Sequence, residues 1–403
     1  DVRMNAFDTP KNPESLQSSL QQVLALLHKH RLVENLVHKQ DMPKHTLVEN
    51  LVHKQNHHAL QKKLDQLHTA DVAYILESLP LEDRLVVWDL VKAERDGDIL
   101  LEVSDAVRES LIEVMDTHEL VAAAEQLDAD ELADLAPDLP QQVVYEVMDG
   151  LDSKEREQLQ SALSYPEGQV GSLMDFELVK IRADVTLEVV LRYLRRFDEL
   201  PDHTDKIFVV DEADRVQGVL SLKTLLVSDP DALVETMMAR DVVTFRPEDD
   251  SGDAAQAFER YDLISAPVVN AAGELIGRLT VDEMVDVIRE ESDSEVLSMA
   301  GLKEEEDLFA SVWDSVKNRW AWLAINLVTA FVASRVIGAF EDSIETLVAL
   351  AALMPIVAGI GGNSGNQTIT MIVRAMALDQ VGTGNTSRLV RKELSVALIN
   401  GLV

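Results

Sequence analysis

The sequence predicts a membrane protein in four parts. An all-α superhelical N-terminal domain occupies residues 1–164, and a tandem pair of α/β modules occupies 165–299. An amphipathic connecting helix follows at 300–318, then an α-helical transmembrane domain at 319–403. Three observations carry the prediction: a change of composition near Arg319, a strand–turn–strand–helix pattern that occurs twice, and a long apolar run interrupted by glycines and amides.

Seventy-two acidic residues stand against thirty-six basic ones, a formal charge of -36, with nearly all the acidic excess before Arg319. Such a surface repels nucleic acid and anionic lipid headgroups and attracts cations, divalent ones most strongly. Cysteine is absent, which excludes disulfides, thiolate metal sites and cysteine nucleophiles. Asp1 to Leu16 is polar and has no apolar core, so no secretory leader is expected and the acidic region is placed in the cytoplasm.

Residues from Ser15 to about Leu67 show leucine and valine at helical spacing. Within them LVENLVHKQ occurs unchanged at Leu32–Gln40 and Leu47–Gln55, a local duplication to which no function attaches. Eight of the ten histidines fall between His28 and His68, but no carboxylate is placed to complete a metal site, so solvated helix surface is expected. From His68 short helices follow one another, each with an apolar stripe, an Asp- or Thr-type start and, at Leu79-Pro80 and Leu139-Pro140, a Leu-Pro stop. Units that bury their faces only against neighbours build a superhelix. Asp128, Asp130, Glu131 and Asp134 crowd one helix start, where capping explains one or two of them.

Beyond Tyr165, IFVVDEADRVQGVLSLKTLL and APVVNAAGELIGRLTVDEMV match position for position, Val209-Val210 with Val268-Val269 and Gly218 with Gly277. A β-branched strand, a turn, a second strand and a helix therefore occur twice. Asp282, Asp286 and Glu290 lie on one helix face at i, i+4 and i+8. Like charges at that spacing cost ~0.2–0.5 kcal/mol per pair, which favours a counter-ion. Oxygen ligands at this density suit Mg²⁺, which keeps several waters and takes one or two carboxylates per site.

Glu304 to Arg319 places Leu308, Phe309, Val312, Trp313 and Val316 on one side, an amphipathic stretch ahead of Trp320 and Trp322 at the membrane interface. A first span is expected over Trp320–Phe340, with Arg335 snorkelling near its far end. Leu347 to Arg374 supplies a second of roughly the ~20 residues a span needs. Its polar insert Gly361–Gln367 predicts a break in that helix, with exposed carbonyls and amides suited to a partly hydrated cation. Glu341, Asp342 and Glu345 separate the two spans, whereas Arg374, Arg388, Arg391 and Lys392 follow the second. Basic residues favour the cytoplasmic side, so both the acidic region and the Arg374–Lys392 loop are expected inside, in a multi-pass protein of the cell inner or plasma membrane.

The string PIVAGIGGNSGNQ, the upstream HTADVAYILESLP and the paired modules resemble, in the same order, the magnesium transporter E family. The modules themselves resemble a tandem pair of cystathionine-β-synthase-type (CBS) domains packed face to face. The resemblance implies Mg²⁺ as cargo and as ligand, a pore formed by a homodimer, and pore residues Pro355, Gly361, Gly362, Asn363, Gly365, Asn366 and Gln367. It also implies cytosolic Mg²⁺ ligands at Asp130, Asp250, Asp262, Glu283, Asp286, Glu291 and Glu295, which hold the gate closed through a connecting "plug" helix. Gly252 and Ser294 depart from that pattern. Such modules often hold adenine nucleotides through an aspartate after a Ser/Thr-x-x spacing. Here Ser221 leads to Thr224 and Thr280 to Glu283, which predicts weak or no nucleotide binding. The family carries five spans with an acidic pore residue in the last. The sequence contains two and the start of a third, at Leu394, and these alone are not expected to conduct.

The expected function is a Mg²⁺ channel or transporter subunit whose acidic domains sense intracellular Mg²⁺ and close the pore. The alternative is a membrane-tethered metal- or nucleotide-sensing protein without transport. No nucleophile, base pair or phosphate-cradling loop points to an enzyme.

Overall fold

The structure, a computed structural model, describes residues 13–37, 57–300, 302, 309, 312–347, 349–377, 391–396 and 398–399. The second LVENLVHKQ copy, the end of the first, and most of Glu304–Ala310 lie outside them. The chain divides into two compact units, residues 1–290 with 307–309, and residues 291–306 with 310–403.

The first unit opens with α1 (Pro13–Val37) and α2 over residues 57–64. Short helices follow: α3 (Thr69–Glu77), α4 (Leu81–Trp88), α5 (Asp96–Glu102), α6 (Asp105–Ile112), α7 (Thr117–Ala124), α8 (Ala129–Leu135), α9 (Gln141–Gly150) and α10 (Ser153–Ala162). Each is too short to persist alone in water, where isolated helices below ~12–15 residues are marginal. They persist because the stripes seen in the sequence merge into one core running from Val23 and Leu64 through Leu76, Leu100 and Leu135 to Leu159. Capping boxes start α7, with Asp116 and Glu119, and α10, with Asp152 and Glu155.

A recurring arginine joins the hairpins. Arg84, on α4, is fully buried and donates to the carbonyls of Leu76 and Leu79, closing the end of α3. Arg108 does the same for Leu100 and Leu101 after α5, and Arg156 for Met148 and Leu151 after α9. The guanidinium fork meets the last carbonyls of a helix, which have no partner inside it. Leu132 holds the equivalent fourth position of α8, so that hairpin has no such clamp.

The α/β pair consists of β1 (Lys180–Arg182), α11 (Leu187–Leu194), β2 (Lys206–Val210), β3 (Val216–Ser221) and α12 (Leu222–Val227), then α13 (Val234–Met237), α14 (Ser251–Tyr261), β4 (Ser265–Val269), β5 (Leu275–Thr280) and α15 (Val281–Ala300). β1 runs parallel to β2, and β2 is antiparallel to β3. β4 and β5 repeat the antiparallel pairing, with the same irregularity at Val268/Val269 as at Val209/Val210. Gly218 and Gly277 sit inside the second strand of each pair. A Cβ at Gly218 would lie 2.5 Å from the Ala239 carbonyl oxygen, and one at Gly277 2.2 Å from Met174 Cγ. These contacts expose an exchange: the segment before the first module bridges to the second, Asp175 to Arg278, while Ala239 bridges to Val219 in the first. Val170 and Met174 accordingly lie in the second module's core, and Val234 lies in the first's. Phe208, Val210 and Leu275 close a further core shared by both modules.

The second unit holds α16 (Val312–Gly338), α17 (Glu341–Thr346) and α18 (Ala349–Ala377), followed by helical residues 391–396. Two expectations are corrected here. The end of the connecting helix and the first span are one continuous helix, α16, because no glycine or proline separates Val312 from Trp320. α18 runs unbroken through Gly361–Gln367 with Pro355 inside it, so the insert does not free backbone carbonyls and its chemistry lies in side chains and small-residue surface. Glycine in a helix costs about 1 kcal/mol relative to alanine, too little to break a helix of this length. Among the described residues, Ser315–Gly338 is long and apolar enough to cross a membrane, and no residue of its apolar window is buried.

Candidate metal-binding surface and membrane helix

Helix α8 has four carboxylates with different tasks. Glu131 accepts from the Asp128 amide at 2.9 Å and closes a capping box, which occupies that pair. Asp130 and Asp134, one turn apart, are left for other work. Asp134 lies 3.5 Å from Arg108 Nη2, while Nη1 of the same guanidinium serves Asp138 at 3.0 Å and Asp105 at 3.6 Å.

Helix α15 of the second module brings Glu283 and Asp286 to the same region. Burial, followed by the charges of Asp282, Asp130, Asp134 and Asp286, pushes the Glu283 carboxyl up to about 8. Burial, and next the charge of Asp175, pushes Asp130 up to about 7. Asp286 is raised by burial and by Asp282, against Arg289. Glu290 is raised by burial and by Asp105, Asp134 and Asp286, against Arg108. Glu102 at the end of α5 is raised by burial and then by Asp286. Carboxylates from the helical domain and from the α/β pair thus face one another with too few cations to neutralise them.

Of the seven residues the family resemblance implies, the fold brings together Asp130, Glu283 and Asp286. Asp250 is the N-cap of α14, accepting from the Asp253 amide at 3.2 Å, and Asp262 caps its other end in a left-handed conformation (φ 52°). Neither is among the charges acting on Asp130 or Glu283. Glu291 and Glu295 lie further along α15. Among the described residues no group of three or more carboxylates or imidazoles could hold an ion by direct ligation. A cation that keeps its inner waters needs no such group. Sequence reasoning missed Asp175, Glu102 and Asp105. Glu102 and Asp105 meet α15, and Asp175 meets Asp130, across the domain boundary, which leaves no periodic signal; Asp134, one turn from Asp130, was visible.

The two modules differ where their pseudo-equivalent clefts lie. In the first, Asp205, Lys206, Val219, Ser221, Thr224, Met237 and Ala239 line a cleft of about 240 Å³. In the second, Arg278 and Asp175 stand at the places of Val219 and Ala239. Arg278 is 3% exposed and donates to Asp175 Oδ2 at 2.7 Å and to the Asp202 carbonyl at 2.8 Å, filling the space.

On α18 the helical repeat sorts the insert into two faces. Pro355, Gly359, Gly362 and Asn366 follow one another at i, i+4, i+7 and i+11 with Asn363 beside them, and Gly361, Ser364, Gly365 and Thr368 lie on the other side. Side chains added at Gly359, Gly361, Gly362 or Gly365 would meet nothing within 4 Å among the described residues.

Comparison with known proteins bears on this arrangement. Residues 67–168 match the MgtE intracellular N domain, 170–230 and 234–290 match the CBS domain, and 354–403 match the MgtE divalent cation transporter family. The magnesium transporter MgtE of Thermus thermophilus is 32% identical over 350 residues, 85% of this chain and 78% of its own. That of Bacillus subtilis is 24% identical over 340 residues, 84% of this chain and 75% of its own. The crystal structure of the cytosolic domain of the Mg²⁺ channel MgtE in complex with ATP superposes with a TM-score of 0.52 at 31% identity, covering 59% of this chain and 98% of that one. The soluble part of a magnesium transporter superposes with the same score at 21% identity, over 69% of this chain and 99% of its own.

Proposed function

The chain belongs to the MgtE family of magnesium transporters, and on that premise we propose that it is a Mg²⁺ transport subunit whose acidic cytosolic surface senses intracellular Mg²⁺ and closes the pore. The observation that carries the sensing reading is the convergence of Asp130 on α8 with Glu283 and Asp286 on α15, with Asp130 and Glu283 pushed to about 7 and about 8. A compact arrangement that confronts ionised carboxylates is disfavoured unless protons or cations sit between them. Each Mg²⁺ cancels two charges and binds the compact state better than the separated one, so rising Mg²⁺ shifts the population toward closure. Closure at high cytosolic Mg²⁺ is negative feedback on uptake. Asp250, Asp262, Glu291 and Glu295 complete the proposed ligand set, Pro355 and Gly361–Gln367 line the path, and a symmetric pair of chains encloses it.

The test is scattering and limited proteolysis on residues 1–302. Compaction and protease resistance should appear at millimolar Mg²⁺, and the D286N/E291Q double variant should blunt both. Profiles unmoved by Mg²⁺ in a folded fragment would remove the sensor role.

A second reading concerns nucleotide. The cytosolic domain of a relative was solved with ATP. Here the first-module cleft offers Lys206 for phosphate and Ser221 at its edge, but Thr224 where a ribose-binding aspartate belongs, and its volume is below the ~300 Å³ at which ligand pockets usually begin. We infer weak adenosine-nucleotide binding. Calorimetry should find T224D about tenfold tighter for ATP than the parent chain, a gain of ~1.4 kcal/mol; micromolar affinity in the parent would overturn the inference.

A further inference from the structure

The membrane unit contains a carboxylate that the transport reading does not use. The Glu393 side chain is 13% exposed, while its neighbour Lys392 is 62% exposed. Thr368 Oγ1, on α18, donates to Glu393 Oε2 at 2.9 Å and ties that helix to residues 391–396. The other oxygen, Oε1, is buried and accepts no hydrogen bond among the described residues. Lys392 Nζ, largely exposed, forms an ion pair with it at 3.7 Å without a hydrogen bond.

Thr368 follows Gly365 by three residues and Gly361 by seven, so it shares their face of α18. Among the described residues nothing lies within 4 Å of a side chain added at either glycine. An ionised carboxylate removed from water is costly unless its oxygens find partners, and inside a membrane such a group by default marks an ion path. A purely structural anchor would have both oxygens satisfied. Arg388, Arg391 and Lys392 immediately precede Glu393, and basic residues mark the cytoplasmic side of a span. Among the described residues Oε1 faces only the exposed ammonium of Lys392, which leaves room for a second cation in a half-dry site, and Mg²⁺ enters such sites by exchanging one or two waters for carboxylate oxygens.

We propose that Glu393, positioned by Thr368, forms a divalent-cation site at the cytoplasmic mouth of the conduction path. The proposal rests on the transport reading and adds a residue to it. Glutamine at this position keeps an oxygen to accept from Thr368 and loses only the charge, which separates an anchor from an ion site.

The experiment is Mg²⁺ flux into liposomes by the full-length protein, measured against Mg²⁺ concentration for the parent, E393Q, E393D and T368V. E393Q should lower flux at subsaturating Mg²⁺ about tenfold, mainly through a higher half-saturating concentration, the ratio expected when one charged ligand is lost. E393D should keep most of the flux, and T368V should fall between. Parental flux and half-saturation in E393Q would overturn the site and leave Glu393 as an anchor. Should E393Q fail to insert, T368V decides: reduced flux at a raised half-saturating concentration supports the site, and parental kinetics overturn it. A parent protein without Mg²⁺ flux would instead sink the transport reading.

Discussion

On the proposed sensing reading, Asp130 and Glu283 exchange protons for metal. Their ordinary values are 3.8 and 4.5, and the packed arrangement raises them to about 7 and about 8. A group whose pKa is higher in the compact state favours that state fully below its ordinary pKa, and the contribution is lost as pH rises through the raised one. Without Mg²⁺ the compact form should therefore hold at pH 5 and loosen as pH climbs through about 7 to about 8. Metal needs the ionised carboxylates, so Mg²⁺ should bind more tightly at pH 8.5 than at pH 6 and release protons. Titration in weakly and strongly ionising buffers reads that release directly; a Mg²⁺ midpoint independent of pH would exclude these two groups. D130N/E283Q should be compact without Mg²⁺. Buried Arg84 makes a second residue-scale case. Arg84→Ala strands the Leu76 and Leu79 carbonyls and should cost ~3 kcal/mol or more in urea unfolding of residues 1–302, whereas a loss below 1 kcal/mol would mean water replaces the clamp.

Strand and helix surfaces carry the next set of consequences. Gly218 and Gly277 occupy equivalent strand positions and each faces a backbone oxygen, that of Ala239 at 2.5 Å and that of Asp175 at 3.0 Å, with the fully buried Met174 side chain also against Gly277. Gly218→Ala and Gly277→Ala should therefore each destabilise the α/β pair by the ~1–3 kcal/mol of overpacking. An unchanged thermal midpoint in either variant would count against the exchanged-segment packing. On α18 the glycines have no neighbour among the described residues to clash with. Valine at Gly361 or Gly365 should leave insertion intact and abolish Mg²⁺ uptake, because the small surface is used for approach of another helix or of an ion. Undiminished uptake in both would return these glycines to inert packing.

At the scale of the whole molecule, charge decides the behaviour. The formal charge of -36 is concentrated ahead of the membrane segments, on domains whose facing carboxylates are only partly answered by Arg108, Arg278 and Arg289. Multivalent cations should outperform monovalent ones in compacting residues 1–302 at equal ionic strength, since Debye screening treats exposed charges alike but bridging requires divalence. Compaction by NaCl matching that by MgCl₂ at one ionic strength would reduce the sensor to general screening.

How far the sequence reaches differs among these parts for physical reasons. The short helices, the doubled α/β unit and the first span were legible because burial imposes periods of 3.6 and 2, and a bilayer imposes a length; each is a local constraint written in consecutive residues. Asp130 was a candidate only through the family resemblance, whereas Asp286 was legible as a candidate through the acidic helix face it shares with Asp282 and Glu290. Continuity of α18 through Gly361–Gln367 was not, because glycine's modest cost in a helix is overruled by the surrounding apolar turns. Nor were the exchange of leading segments between modules, the Arg278–Asp175 pair that fills one cleft and leaves the other open, or the Thr368–Glu393 bond. Those depend on which distant residues share a surface, and only the folded chain's topology brings together positions that have no spacing in common.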